Sequence, residues 1–355
     1  MSLQQDVENR KGVPVGRGVT RRSLLFGGLA AAGGGLLGAG LVPGMAYAAD
    51  GPTIVNCDQW GSRRPRGLLP VVNKAPVKIL VHHTATPNVA PQGMDAAVRL
   101  ARGIQNFHMN TRRWPDTGQH FTVSRGGIVL EGRHRSLEFV RVGRQQIEGA
   151  HCTGQNLVAL GIENEGTYSS VDPPAKQWAQ LRLLCAYLCR QYRIKPTQIF
   201  GHRDFKDTAC PGDRLYAALP RLRKEVATLL GQRAAQTRAA VWPLLRFADR
   251  GDQVLAAQYL LRDAGMDGVV PDGRFTRELA DAVRGFQTAH GFLDDESLQV
   301  TGMIGGETWP AIARAVRSGE DGDATRAVEI LARGRRTESL PDVVTPEVWQ
   351  HLLTP

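Results

Sequence analysis

Ile199-Phe-Gly-His-Arg-Asp-Phe-Lys-Asp-Thr-Ala-Cys-Pro-Gly-Asp213 is the stretch on which the reading of this 355-residue chain turns. His202 and Cys210 stand eight residues apart on a segment closed by Pro211. An imidazole and a thiol are borderline-to-soft donors that suit zinc. A third nitrogen is on offer far upstream, in Val77-Lys-Ile-Leu-Val-His-His83. Three protein ligands with one position left open is the arrangement of a catalytic zinc site rather than a structural one. A His and a Cys on one loop are a common coincidence, so the surrounding segments must decide.

Residues 77–83 alternate and are β-branched, which predicts a strand. With a period of two, Val77, Ile79, Val81 and His83 share one face, and Lys78, Leu80 and His82 the other. The adjacent histidines therefore cannot both reach one metal from a regular strand. One of the pair is expected to be functional. Leu157-Val-Ala-Leu-Gly-Ile-Glu-Asn-Glu165 reads as a strand that opens apolar and ends in two carboxylates, Glu163 and Glu165, on one face. A carboxylate there is costly unless it is paired or working; a solvated strand end is the plain alternative.

Between these blocks, residues 95–109 have helical spacing, and Phe121-Thr-Val123 with Gly127-Ile-Val-Leu130 form a hairpin across Arg125-Gly126. Residues 176–192 form a long amphipathic helix, and Gln198-Ile-Phe200 is a short strand leading into the metal loop. Asp213 is placed to cap a helix running to about residue 230. Residues 49–76, rich in Pro, Arg and Gly, read as a loop-dominated lead-in.

The Ala-, Gln- and Arg-rich residues 231–241 read as a linker between two independent folds. Beyond it the character changes. Residues 242–317 contain three helical stretches, opened by Gly251-Asp252, by the segment after Asp272-Gly273, and by Gly306-Glu-Thr-Trp309. Residues 318–355 look like a shortened copy. Val316-Arg-Ser-Gly-Glu-Asp-Gly-Asp repeats the pattern of Leu245-Arg-Phe-Ala-Asp-Arg-Gly-Asp, and Thr345-Pro-Glu-Val-Trp349 that of Gly306-Glu-Thr-Trp309.

The first 48 residues are a targeting segment. Thr20-Arg-Arg-Ser-Leu-Leu25 is a twin-arginine pattern, residues 24–42 are an apolar run, and Ala46-Tyr47-Ala48 is a cleavage site. An uncleaved anchor is the alternative, weakened by the glycines of the run. The segment carries +3 of the net +10, so the remaining residues carry +7. No nucleic-acid motif is present and the arginines are dispersed, so an anionic polymer such as a cell wall suits this charge at least as well. If Cys210 binds metal, Cys57, Cys152, Cys185 and Cys189 remain, an even set that an exported protein can pair. Cys185 and Cys189, one helical turn apart, would pair outward rather than with each other; buried free thiols are the alternative.

Taken together, the blocks resemble the type 2 N-acetylmuramoyl-L-alanine amidases, the zinc family that includes the peptidoglycan recognition proteins. The resemblance covers about residues 54–229. Val81-His-His-Thr-Ala85 resembles the family's first zinc block and implies His82 as a ligand. Gly201-His-Arg-Asp and Cys210-Pro-Gly imply His202 and Cys210. Gly161-Ile-Glu-Asn-Glu-Gly166 is similar to the strand carrying the catalytic Glu and implies Glu163; Gly149-Ala-His151 is a further shared block. Gln119 stands where recognition-type members carry a Tyr, and Thr208 where phage members carry a Lys. Thr208 and His151 are the candidate donors to an oxyanion. His83, His151, Asn156 and Arg203 are the expected substrate contacts. Residues 242–316 resemble the three-helix peptidoglycan-binding domain, through Asp272-Gly-Arg-Phe, Ala282-Val-Arg-Gly-Phe-Gln287 and Glu307-Thr-Trp309.

The implied fold is a mixed β-sheet flanked by helices over residues 49–230, followed by an all-α C-terminal domain. The implied protein is a secreted, wall-associated, monomeric Zn2+ amidase whose partner is peptidoglycan, with no nucleic-acid or lasting membrane partner. Its non-catalytic counterpart, a wall receptor of the same fold, and a zinc peptidase cutting within the stem peptide are the competing readings.

Overall fold

The computed structural model describes residues 51–89, 92–233, 241–294, 299–317, 320–333 and 341–354. The expected targeting segment and most of the expected linker lie outside the described residues, which fall in one compact unit, Tyr47–Pro355.

The chain runs β1 (Ile54–Val55), α1 (Cys57–Trp60), β2 (Val71–Val72), β3 (Lys78–His83) and α2 (Met94–Asn106). Next come β4 (Phe121–Val123), β5 (Val129–Glu131), α3 (Ser136–Val142), β6 (Gln146–Ile147), β7 (Ala159–Asn164) and α4 (Ala175–Tyr192). Then follow β8 (Ile199–Gly201), α5 (Asp213–Ala217) and α6 (Leu219–Leu229). The second half holds α7 (Asp252–Asp263), α8 (Arg277–His290), α9 (Thr308–Ile312), β9 (Val316–Arg317), α10 (Asp323–Ala332), β10 (Val343–Val344) and α11 (Pro346–Leu353).

The main sheet has the order β1-β5-β4-β7-β3-β8. β3 lies parallel to both β7 and β8, and β4 is parallel to β7 but antiparallel to β5. Central strands covered on both faces need apolar side chains on both, and Ile79, Leu80 and Val81 are fully buried. Ile79 and Val81 pack with Leu181, Leu184 and Leu188 of α4, and with Leu222 and Val226 of α6. The lead-in is more ordered than its composition suggests. Asn56 caps α1 in a capping box with Gln59, and Trp60 donates to the Glu131 carbonyl at 2.8 Å.

Two expectations fail here. Asp213 is the first residue of α5 rather than its cap, which is Gly212; its carboxylate instead pairs with Arg203 and Arg246. No disulfide joins the five cysteines, all of which are buried, so the alternative of buried thiols holds. Cys57, Cys152 and the Cys185–Cys189 turn sit in three separate apolar clusters, each filling its own core as a small hydrophobe.

The second half has its own core, from Trp242 to Leu353, and the tail helices α10 and α11 belong to it. The repeat is visible as matched geometry. Leu245 bridges Ile304, and Trp309 donates to the Pro243 carbonyl at 2.7 Å. Val316 pairs with Val344, and Trp349 donates to the Arg314 carbonyl at 2.8 Å. The same spacing recurs in both copies. The tail therefore extends one helical body instead of forming a separate array.

Candidate metal centre and cleft

Three parallel strands deliver the site. His82 lies near the carboxyl end of β3, Glu163 near that of β7, and His202 directly after β8. In open sheets this is where ligands are held, because the chain turns there and exposes side chains without breaking the ladder. A loop then returns Cys210 to the same place. It is closed by the Arg203 amide donating to the Cys210 carbonyl at 3.1 Å, while the Gly201 amide donates to the Asp204 carboxylate at 2.8 Å.

One donor atom from each of His82, His202 and Cys210 lies within 4.8 Å of the others, and all three residues are buried. Cys210 Sγ is 3.8 Å from His82 Nδ1. The donor set, two imidazoles and one thiol, fits zinc with a position left for substrate or water. His83 stands apart from this cluster: its Nδ1 accepts from the Tyr168 amide at 3.3 Å. The strand stays regular through both histidines, so they face opposite ways, as the period requires.

The tautomer of His82 follows from what lies behind it. His151 Nε2 is 3.3 Å from the Ala159 carbonyl, an acceptor only, so that nitrogen carries the proton. His151 Nδ1 is then an acceptor, and His82 Nε2, 3.1 Å away, donates to it. His82 Nδ1 is left with its lone pair toward Cys210 and His202. Burial, then the neighbouring His202 and His151, hold the His82 pKa well below the usual imidazole value, so the ring is neutral and able to ligate. The Cys210 sulfur receives the His83 backbone amide at 3.3 Å, which favours its thiolate.

His120, which no sequence pattern marked, continues this stack. Its Nδ1 accepts from the Gly161 amide at 3.0 Å and its Nε2 donates to the Ile147 carbonyl at 2.9 Å. Gly161 must lack a side chain, since a Cβ there would lie 2.5 Å from the His151 ring. The glycine of the Gly-Ile-Glu-Asn-Glu block is thus explained by a histidine packed on its backbone.

Glu163 is in register with His82 on β3 and with Thr122 on β4, so the three share one sheet face. It opens onto a cleft of about 380 Å³ whose other walls are Thr84, Thr86, Leu100, Ile104, Phe107 and His108. Glu165 lies past the end of β7 and accepts the Arg125 amide at 2.7 Å, which gives it a structural role in the β4–β5 turn. A second cleft of about 290 Å³ meets the cluster from the other side. It is lined by His83, His202, Thr208 and Cys210, and by Asp294, Thr301 and Met303 from the second half. Thr208 Oγ1 accepts the Cys210 amide at 3.3 Å.

Three expected substrate contacts are engaged elsewhere. Arg203 is turned into the loop, with Nη1 on Asp213 at 2.9 Å and Nη2 on the Ala209 carbonyl. The Asn156 carboxamide receives the His151 and Cys152 amides at 2.9 and 3.0 Å, which orders the 149–154 loop, and it lines a different groove with Arg133 and Glu148. His151 serves His82 and not the cleft. Of the four, His83 alone lines a cleft beside the ligands. Gln119 is buried, its amide donating at 2.9 Å to Oγ1 of Thr122, the register partner of Glu163 on β4.

Residues 73–213 match the family model described as N-acetylmuramoyl-L-alanine amidase, and residues 250–312 match a putative peptidoglycan binding domain. Peptidoglycan recognition protein 1 of Bos indicus is 32% identical over 181 residues, 49% of this chain and 85% of that protein. Peptidoglycan-recognition protein LB of Drosophila melanogaster is 29% identical over 167 residues, 47% of this chain and 67% of its own. The human N-acetylmuramoyl-L-alanine amidase is 30% identical over 164 residues, 45% of this chain and 27% of that protein. Among solved structures, the endolysin amidase LysCS from Clostridium intestinale aligns with a TM-score of 0.37 at 26% identity, over 51% of this chain and 97% of that one.

Proposed function

The chain belongs to the family of N-acetylmuramoyl-L-alanine amidases and peptidoglycan recognition proteins, and from that premise we propose that it is a zinc-dependent amidase acting on peptidoglycan. The bond it cuts joins the muramoyl lactyl group to the L-alanine of the stem peptide. The observation that carries this reading is the buried His82, His202 and Cys210 cluster with Glu163 beside it on the next strand.

His82, His202 and Cys210 would hold the zinc, which when bound would supply a Lewis acid for the scissile carbonyl and the attacking water. Glu163 takes the proton of that water and passes it to the leaving amine. His151 keeps His82 in the tautomer that presents Nδ1, and the His83 amide donates to the Cys210 sulfur. Thr208, accepting the Cys210 amide, keeps its own hydroxyl proton for the developing oxyanion. Leu100, Ile104 and Phe107 give the Glu163 cleft an apolar wall that limits water around the proton transfer. The helical second half holds the enzyme on its insoluble polymer and raises the effective substrate concentration. Export by the twin-arginine route, cleavage after Ala48 and a monomeric, wall-associated mature protein complete the reading. No helix among the described residues is long and apolar enough to cross a membrane.

Mass spectrometry of a muropeptide digest, with and without a chelator, tests it. The amidase releases an intact peptide beginning with L-alanine, and the chelator stops the release. Cleavage within the peptide identifies a peptidase. Retention of muropeptide with no product identifies a receptor.

A further inference from the structure

The segment between two of the proposed ligands is gripped by the other half of the chain. Lys206 and Asp207 lie between His202 and Cys210, and both are buried. The Asp207 carboxylate accepts five hydrogen bonds, all from beyond the linker. Oδ1 receives the Gly305, Thr308 and Glu307 amides at 2.7, 3.1 and 3.3 Å. Oδ2 receives Thr308 Oγ1 at 2.7 Å and Gln287 Nε2 at 3.1 Å. The Asp207 carbonyl accepts Thr301 Oγ1 at 2.7 Å, and Lys206 Nζ meets Glu307 at 2.7 Å. Two glycines permit the approach. A Cβ on Gly306 would lie 2.5 Å from the Phe205 nitrogen, and one on Gly305 3.0 Å from the Lys206 carbonyl oxygen. Backbone therefore rests directly on backbone.

We propose that Asp207 is a positioning residue for the metal centre: through it the helical half fixes the loop that carries His202 and Cys210. This rests on the reading of His82, His202 and Cys210 as zinc ligands. A loop bearing two of three ligands loses conformational freedom when metal binds, and a loop already fixed loses less. The grip falls at its apex, between the ligands, where wandering would separate them most. The same contact brings Asp294, Thr301 and Met303 to the cleft beside the cluster. The wall-binding half is then part of the metal site as well as a tether.

The test is made on the full chain. Zinc release into a chromophoric chelator is followed for the unaltered protein, Asp207→Asn and Gly306→Ala. Leu352→Ala, which loosens the helical core away from the contact, is the control. Asp207→Asn and Gly306→Ala should release zinc about tenfold faster and shift the absorption bands of the cobalt(II)-substituted protein, while Leu352→Ala matches the unaltered chain. The proposal is overturned if the unaltered chain holds zinc and both variants release it at the same rate, or if Leu352→Ala accelerates release as much as they do. An unaltered chain that binds no zinc would sink the ligand assignment itself, and the grip with it.

Discussion

The two halves of the molecule bury different chemistry. The sheet half encloses His82, His83, His108, His120, His151 and His202, together with Asp116, Glu131, Glu163, Asp204 and Asp207. Among the described residues, the helical half buries three polar side chains, Gln258, Gln287 and Thr308. Its interior is otherwise apolar, with Trp242 and Trp309 stacked at 6.2 Å between ring centroids. A buried polar group costs stability unless it is bonded or used. The sheet half bears part of that penalty at the carboxyl ends of β3, β7 and β8, where His82, Glu163 and His202 lie. The helical half keeps polarity where it binds a carboxylate: Gln258 on Asp272, and Gln287 with Thr308 on Asp207. In the second half buried polarity marks joints; in the first it marks the candidate site and joints as well, such as Glu131 under the Cys57 and Leu137 amides.

The largest effects should therefore come from the sheet half. Cys210→Ser and His202→Ala should lose zinc and all hydrolysis above background, read by metal analysis and product release. His82→Ala should do the same, whereas His83→Ala should keep most of its zinc; the opposite pattern would put His83, not His82, on the metal face of β3.

Next comes Glu163→Gln, which should retain zinc and muropeptide binding while kcat falls by about 10²–10⁴-fold. Glu165→Gln should cost far less, because its carboxylate holds a backbone amide of a turn. Steady-state kinetics at matched zinc content separates the two, and a dead Glu165→Gln would swap their roles.

In the helical half, away from the residues that hold Asp207, the effect should be on stability and not on zinc. Trp349→Ala removes a fully buried side chain and its bond to Arg314, at a cost of about 3–5 kcal/mol. Denaturation should show this, with zinc content unchanged in the folded protein. Loss of zinc from folded Trp349→Ala would erase the distinction between the halves.

The last effect is that of pH. Burial above all, and secondarily Arg112 for His108 and Arg133 for both, holds His108 and His120 at about 4. The unfolded chain takes up these protons near pH 6.5 and the folded chain refuses them until about pH 4. Stability from these groups is complete above pH 6.5, declines as pH falls toward 4, and changes no further below. The slope is at most about 1.4 kcal/mol per pH unit for each histidine. The helical half carries His290 and His351, both exposed. In metal-free protein, His120→Gln should flatten the acid decline; an unchanged slope would show that His120 takes no part in it.

The legible parts of the molecule were those with local signatures. Period-two alternation placed β3 and set His82 and His83 on opposite faces, and an apolar run ending in two carboxylates placed β7 with Glu163 near its end. The spacing of Trp309 and Trp349 exposed the helical repeat. What sequence concealed depends on contacts far along the chain. His120 precedes β4 with no motif of its own, and its role appears only when Gly161 and His151 pack against it. Asp207 has no signature of its own in the sequence, and its partners Gln287 and Thr308 lie 80 and 101 residues away. Arg203 and Asn156 sit in the right blocks for substrate contact, but their nearest polar neighbours are backbone groups and Asp213, which take them first. The short elements α3 and β6 were also missed, for they carry too few residues to show a period.

The most direct test of the central claim is X-ray absorption at the zinc edge of the full chain purified with its metal. The account predicts one sulfur and two imidazole nitrogens in the first shell, with the sulfur lost in Cys210→Ser and one imidazole lost in His82→Ala. A first shell without sulfur, or one unchanged by either substitution, would contradict it.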